Sequence, residues 1–74
     1  MMNLSDPVIC ELLAYASNNN YCVELRSYCA VVDGLHGQPV YIVDHNPAPL
    51  IYKGDFDTDF IITSEEFKRL FAKR

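Results

Sequence analysis

Four acidic residues near the C-terminus have types and spacing that suit calcium coordination. Asp55, Asp57, Asp59 and Glu66 fall on the four carboxylate positions of the pattern D-x-[DN]-x-[DN]-G-x₅-E. In loops of this kind, alternate aspartates and a final bidentate acid supply the oxygen ligands that Ca²⁺ prefers. This segment is therefore the most specific chemical signal in the chain.

Residues 55–71 resemble the second half of an EF-hand, although two features depart from that family. Phe60 stands where the loop uses glycine, and a bulky residue resists the positive φ of that turn. Two prolines and a glycine between residues 47 and 54 disfavour the helix that would enter the loop. The sequence therefore favours an acidic hairpin turn followed by a strand, with Glu66 as a helix cap. Weak calcium binding by residues 55–66 is the alternative.

Two cysteines and two histidines are the other potential metal ligands. Cys22, Cys29, His36 and His45 follow the spacing C-x₆-C-x₆-H-x₈-H, which lacks the tight C-x₂₋₄-C pair of structural zinc sites. Buried cysteines on a strand commonly behave as small hydrophobic residues. A Cys–His nucleophilic pair meets the same objection. We therefore predict a protein without catalytic residues, metal or cofactor.

The composition is that of a single small acidic domain spanning residues 1–74. Ten Asp and Glu residues outnumber six Lys and Arg residues, so the formal net charge is −4. An acidic surface repels phosphate, which argues against nucleic-acid binding, while a DNA-mimic inhibitor is a second alternative. No signal peptide and no apolar run of about 18 residues is present, so we expect no membrane association. The odd cysteine count, three, favours a reduced, cytoplasmic protein.

The periodicity of apolar residues predicts the elements that position these side chains. Helical spacing after a Ser5-Asp6-Pro7 start predicts a helix over residues 6–18. Alternating patterns predict strands at residues 21–31, 39–43, 50–53 and 60–62. A capping box, Thr63 with Glu66, begins a C-terminal helix. The predicted fold is α+β with the order α-β-β-β-β-α, an antiparallel meander sheet with two helices packed on one face.

Half of the residues are hydrophobic, which is more apolar surface than so small a core hides. A domain of this size buries only about 60% of its unfolded surface, and a remaining apolar patch is typical of a partner surface. Tyrosine and arginine are enriched at interface hot spots. The candidate contact residues are Tyr21, Arg26, Tyr28, Tyr41 and Phe56. We therefore predict a protein-interaction module of accessory or inhibitor type, which binds a protein partner or a second copy of itself, with sheet-edge pairing as one mode.

Overall fold

The computed structural model describes residues 4–33 and 37–72 as an antiparallel sheet with one helix before it and one helix after it in the chain. The elements are α1 (Pro7–Asn18), β1 (Val23–Leu25), β2 (Cys29–Asp33), β3 (Pro39–Val43), β4 (Leu50–Lys53), a 3-10 turn (Thr58–Phe60), β5 (Ile61–Ile62) and α2 (Ser64–Leu70). The strands lie in the order β1-β2-β3-β4-β5, and each neighbouring pair is antiparallel. The predicted α+β class and the antiparallel meander between terminal helices are confirmed.

Helix α1 begins and ends where its polar flanking residues predict. The side chain of Asp6 accepts hydrogen bonds from the backbone N–H groups of Val8 (2.8 Å) and Ile9 (3.3 Å), so it satisfies donors that the first turn leaves unpaired. At the other end Asn20 takes a left-handed conformation, with φ of 70°. Asparagine tolerates this conformation better than most residues, and the chain leaves the helix there.

The single strand predicted over residues 21–31 is wrong, because this segment is a hairpin of β1 and β2. The N–H of Arg26 donates to the carbonyl of Cys29 at 2.8 Å and closes the turn. Strand β2 has neighbours on both sides, and Ala30, Val31 and Val32 are all buried. A central strand of this kind is apolar on both faces, so simple alternation does not describe it. The sheet therefore has five strands in the described part of the chain.

The predicted strand over residues 60–62 is shorter in the structure, because Phe60 belongs to the 3-10 turn. The carboxylate of Asp57 accepts from the N–H of Asp59 at 3.1 Å, and the Phe60 N–H donates to the Asp57 carbonyl at 2.8 Å. These bonds hold the chain in a tight turn until Ile61, where β5 begins. Thr63 and Glu66 then form the predicted capping box at the start of α2.

One hydrophobic cluster contains residues of both helices and of strands β2, β3 and β4. Its buried members are Ile9, Leu12 and Ala16 of α1, Ala30 and Val32 of β2, Val40 and Ile42 of β3, Ile51 of β4, Phe67 of α2, and the flanking Tyr21 and Phe71. Tyr21 meets Phe71 edge-on, with ring centroids 4.8 Å apart and planes at 85°. This geometry is a favourable one for aromatic pairs. We call the side of the sheet that joins this cluster the core face.

Candidate protein-interaction surface

The second side of the sheet, which we call the outer face, lies outside the core cluster. Side chains of successive strand residues point to opposite faces, so the neighbours of core-face residues belong to the outer face. Cross-strand register places five outer-face residues in one row: Glu24, Val31, Tyr41, Tyr52 and Ile61. A second row contains Cys29, Val43 and Leu50. The outer face is thus apolar and aromatic across its centre.

Three aromatic rings gather at the middle of the outer face. Phe56 lies 4.3 Å from Tyr41 and 5.4 Å from Tyr52 between ring centroids. Tyr41 and Tyr52 are themselves cross-strand partners. We call these three residues the aromatic cluster. Phe56 is 57% exposed although it contacts two rings, and Tyr41 and Tyr52 are half-buried, so the cluster presents the Phe56 ring to solvent.

The loop after β4 brings Phe56 to this position. The N–H of Gly54 donates to the Pro39 carbonyl at 2.8 Å, which extends the β3–β4 pairing by one step. Gly54 has φ of +88°, a conformation that glycine adopts without the steric cost of a side chain. The Asp55 carboxylate then accepts from the Phe56 N–H at 2.9 Å. These local bonds turn the chain so that the Phe56 ring contacts β3 and β4.

The charges near the aromatic cluster are predominantly negative. Asp55 and Asp57 flank Phe56 in the chain, and Asp33 lies on the outer face beside β3. Arg26, a cation on this face, pairs with Glu24, with 2.6 Å between the Arg26 Nε and the Glu24 Oε2 atoms. The hydrogen bond that the Arg26 guanidinium donates to the Glu24 carboxylate raises the pKa of Arg26. An approaching partner therefore meets apolar rings bordered by carboxylates.

The β1–β2 turn at one end of the sheet carries another exposed aromatic residue. Tyr28 is 77% exposed, and Leu25 on the neighbouring strand is 54% exposed. Arg26 lies between them in the chain and is also exposed. This turn forms a second accessible region at the end of the sheet.

The structure divides the five predicted contact residues among three places. Tyr41 and Phe56 come together in the aromatic cluster, whereas Arg26 and Tyr28 lie in the β1–β2 turn. Tyr21 is only 6% exposed and packs in the core, so it does not belong to a contact surface. Tyr52 belongs to the aromatic cluster but was not among the contact residues predicted from the sequence. Its signal is the shared parity of Tyr52 and Tyr41, which becomes visible once the register of β3 and β4 is known.

The carboxylates of the acidic segment serve turns and a helix cap. Asp55 and Asp57 accept local backbone N–H groups, and Glu66 accepts from Thr63 in the capping box. Strand β4 precedes the segment where an EF-hand has its entering helix. Within residues 4–33 and 37–72, no group of three or more Asp, Glu, His or Cys side chains is arranged to hold a metal ion.

The cysteines and histidines considered for zinc do not form a site in the described residues. Cys22 is exposed near β1, Cys29 is half-buried on β2, and His45 is exposed in the loop after β3. His36 lies outside the described residues. Cys29 therefore fits the small hydrophobic role that strand cysteines commonly have.

No protein-family model, no curated protein and no solved structure matches this chain. Among the described residues, neither helix has the length and apolar character that crossing a membrane requires.

Proposed function

We propose that this protein is a small cytoplasmic protein-interaction module, of accessory or inhibitor type, which binds a protein partner through its outer face. The observation that carries the proposal is the aromatic cluster of Tyr41, Tyr52 and Phe56, which lies outside the core and leaves more than half of Phe56 exposed. Aromatic residues bury large area at low entropic cost and dominate many interface hot spots.

The acidic border supports a partner whose contact surface is electropositive. Asp55 and Asp57 flank Phe56 in the chain and Asp33 lies on the outer face, while the Arg26 charge is balanced by Glu24. Complementary charge increases the rate of association and excludes partners of the same sign. We therefore expect binding to weaken at high salt while the apolar contact at the centre persists.

Catalysis does not form part of the proposal. Catalytic acids and bases usually have strongly shifted pKa values inside a cleft. The pKa values of Arg26 and Lys68 are raised by hydrogen bonds to Glu24 and Glu11. Both are exposed ion pairs on the surface, which is typical of structural charges.

Affinity capture with matched phenylalanine variants tests this function. The full chain, Phe56→Ala and Phe60→Ala are used as baits in lysate of the source cells. Phe60 is also exposed but makes no ring contact with the aromatic cluster, so it controls for loss of any surface phenylalanine. We expect one protein to be retained by the full chain and by Phe60→Ala and lost with Phe56→Ala. If every captured protein is retained equally by all three baits, the outer face is not the contact surface.

A further inference from the structure

Within residues 4–33 and 37–72, strand β1 has a backbone edge without a strand partner, and the direction of its hydrogen-bonding groups can be assigned. Arg26 donates to the Cys29 carbonyl at 2.8 Å, and Asp33 donates to the Cys22 carbonyl at 3.1 Å. Hydrogen-bonded pairs alternate along an antiparallel ladder, so Glu24 also directs its backbone groups toward β2. Val23 and Leu25 therefore direct their N–H and C=O groups away from the sheet. Because β1 comes first in the strand order, these groups form its outer edge.

We propose that two copies of this chain associate through antiparallel pairing of their β1 edges, with the two-fold axis at Leu25. In this register Leu25 of each copy exchanges N–H···O=C bonds with Leu25 of the other. The ten strands of the two sheets become one continuous sheet. This dimer uses a different surface from the aromatic cluster and does not rest on the proposed function.

Charge complementarity selects a second copy as the occupant of this edge. A two-fold axis at Leu25 places Glu24 of one copy directly opposite Arg26 of the other, on the same face of the sheet. Opposite charges in directly opposed positions stabilise a strand pair, and like charges destabilise it. The segment Glu24-Leu25-Arg26 is thus complementary to itself. Both side chains are more than half exposed, so they are accessible to a second copy.

The same charges disfavour the two neighbouring registers of β1–β1 pairing, with the axis at Glu24 or at Arg26. A two-fold axis at Glu24 would place Glu24 opposite Glu24 of the second copy. An axis at Arg26 would place two guanidinium groups together, and the Arg26 N–H is already bonded to Cys29. The axis at Leu25 is therefore the one that pairs every charge with its opposite.

One exposed apolar side chain becomes covered in this arrangement. Leu25, 54% exposed, faces Leu25 of the second copy on the core-face side. Because β1 has three residues, the interface is small, and we expect a dimer that dissociates on dilution.

Charge-reversal variants, measured separately and mixed, test the dimer by sedimentation equilibrium. The full chain is studied with reductant, which excludes disulfide-linked species. Glu24→Arg places two arginines at every contact and Arg26→Glu places two glutamates there. We expect each variant to raise the dimer dissociation constant about tenfold or more. An equal mixture of the two restores opposite charges at both contacts, so dimer formation should return to the level of the unmodified chain.

A charge reversal on a different ion pair is the matched control. Glu11 pairs with Lys68 between α1 and α2, and Glu11→Lys should leave the dissociation constant unchanged. The proposal is overturned if the unmodified chain stays monomeric at all concentrations, if either single reversal dimerises as the unmodified chain does, or if the mixture stays monomeric. It is also overturned if Glu11→Lys weakens the dimer as much as the β1 reversals.

Discussion

The centroid of the Phe56 ring lies 4.3 Å from the centroid of the Tyr41 ring, on the side of the sheet that faces away from the core cluster. Phe56 comes from a loop and Tyr41 from the central strand β3, so the contact joins a turn to the middle of the sheet. More than half of the Phe56 side chain stays exposed. The contact therefore builds a surface rather than extending the core.

Phe56→Ala should have a small effect on stability. The ring contacts with Tyr41 and Tyr52 contribute about 0.5–1.5 kcal/mol, because one side of the ring is already in water. We expect urea denaturation followed by tyrosine fluorescence to show a loss of about 1 kcal/mol. Phe67→Ala, which empties a fully buried site, should cost about 3–5 kcal/mol. Equal losses for the two variants would contradict the assignment of Phe56 to a surface.

Replacing Tyr21 or Tyr28 by alanine should change the free energy of unfolding by very different amounts. Tyr21→Ala should lower the free energy of unfolding by about 3–5 kcal/mol, because the ring is buried against Phe71. Tyr28→Ala should change it by less than about 0.5 kcal/mol, since the ring is largely in solvent. Thermal unfolding followed by circular dichroism separates these outcomes. A strongly destabilising Tyr28→Ala would show that its ring has a packing partner within the chain.

The capping box at α2 should contribute to stability without calcium. Thr63→Ala should cost about 1 kcal/mol, because the N–H of Glu66 loses the side-chain acceptor 3.1 Å away. Adding millimolar calcium should leave the unfolding midpoint of the unmodified chain unchanged. A midpoint that rises with calcium, and no longer rises in Asp55→Ala, would instead establish the acidic segment as a metal site.

Gly54→Ala tests how the turn positions the aromatic cluster. No atom lies within 4 Å of an added Cβ, so the cost arises from the backbone conformation at φ of +88°. A non-glycine residue there costs about 1–2 kcal/mol. We expect loss of stability together with changed Tyr41 and Tyr52 ring resonances in NMR spectra, because Phe56 follows this turn. Gly54→Asn should be milder, since asparagine tolerates positive φ better.

The helices and the acidic turn could be predicted from sequence because their signals are local. Asp6 before α1 and Thr63 with Glu66 before α2 are caps that act within three residues of the chain. The size of Phe60 disfavoured a calcium loop, and Phe60 lies in a 3-10 turn rather than in the predicted strand. Local bonding rules therefore predicted the ends of the fold well.

The β1–β2 hairpin and the composition of the contact surface depend on information that is not local. The turn at Arg26-Ser27-Tyr28 contains none of the glycine, proline or asparagine that usually mark turns. Tyr21 shares the parity of Val23, whose partner Val32 is fully buried, but that burial is known only after the strands are paired. The association of Tyr41, Tyr52 and Phe56 likewise depends on register.

The most direct test of the outer face as a contact surface is an NMR titration of the labelled full chain with the partner that the Phe56 comparison identifies. We expect saturable shifts concentrated on Tyr41, Tyr52 and the loop at residues 54–57, with α1 and α2 little changed. The same titration of Phe56→Ala should require at least about tenfold more partner, as expected when a hot-spot residue is removed. Shifts confined to the exposed sides of the helices, with the aromatic cluster unaffected, would contradict the account.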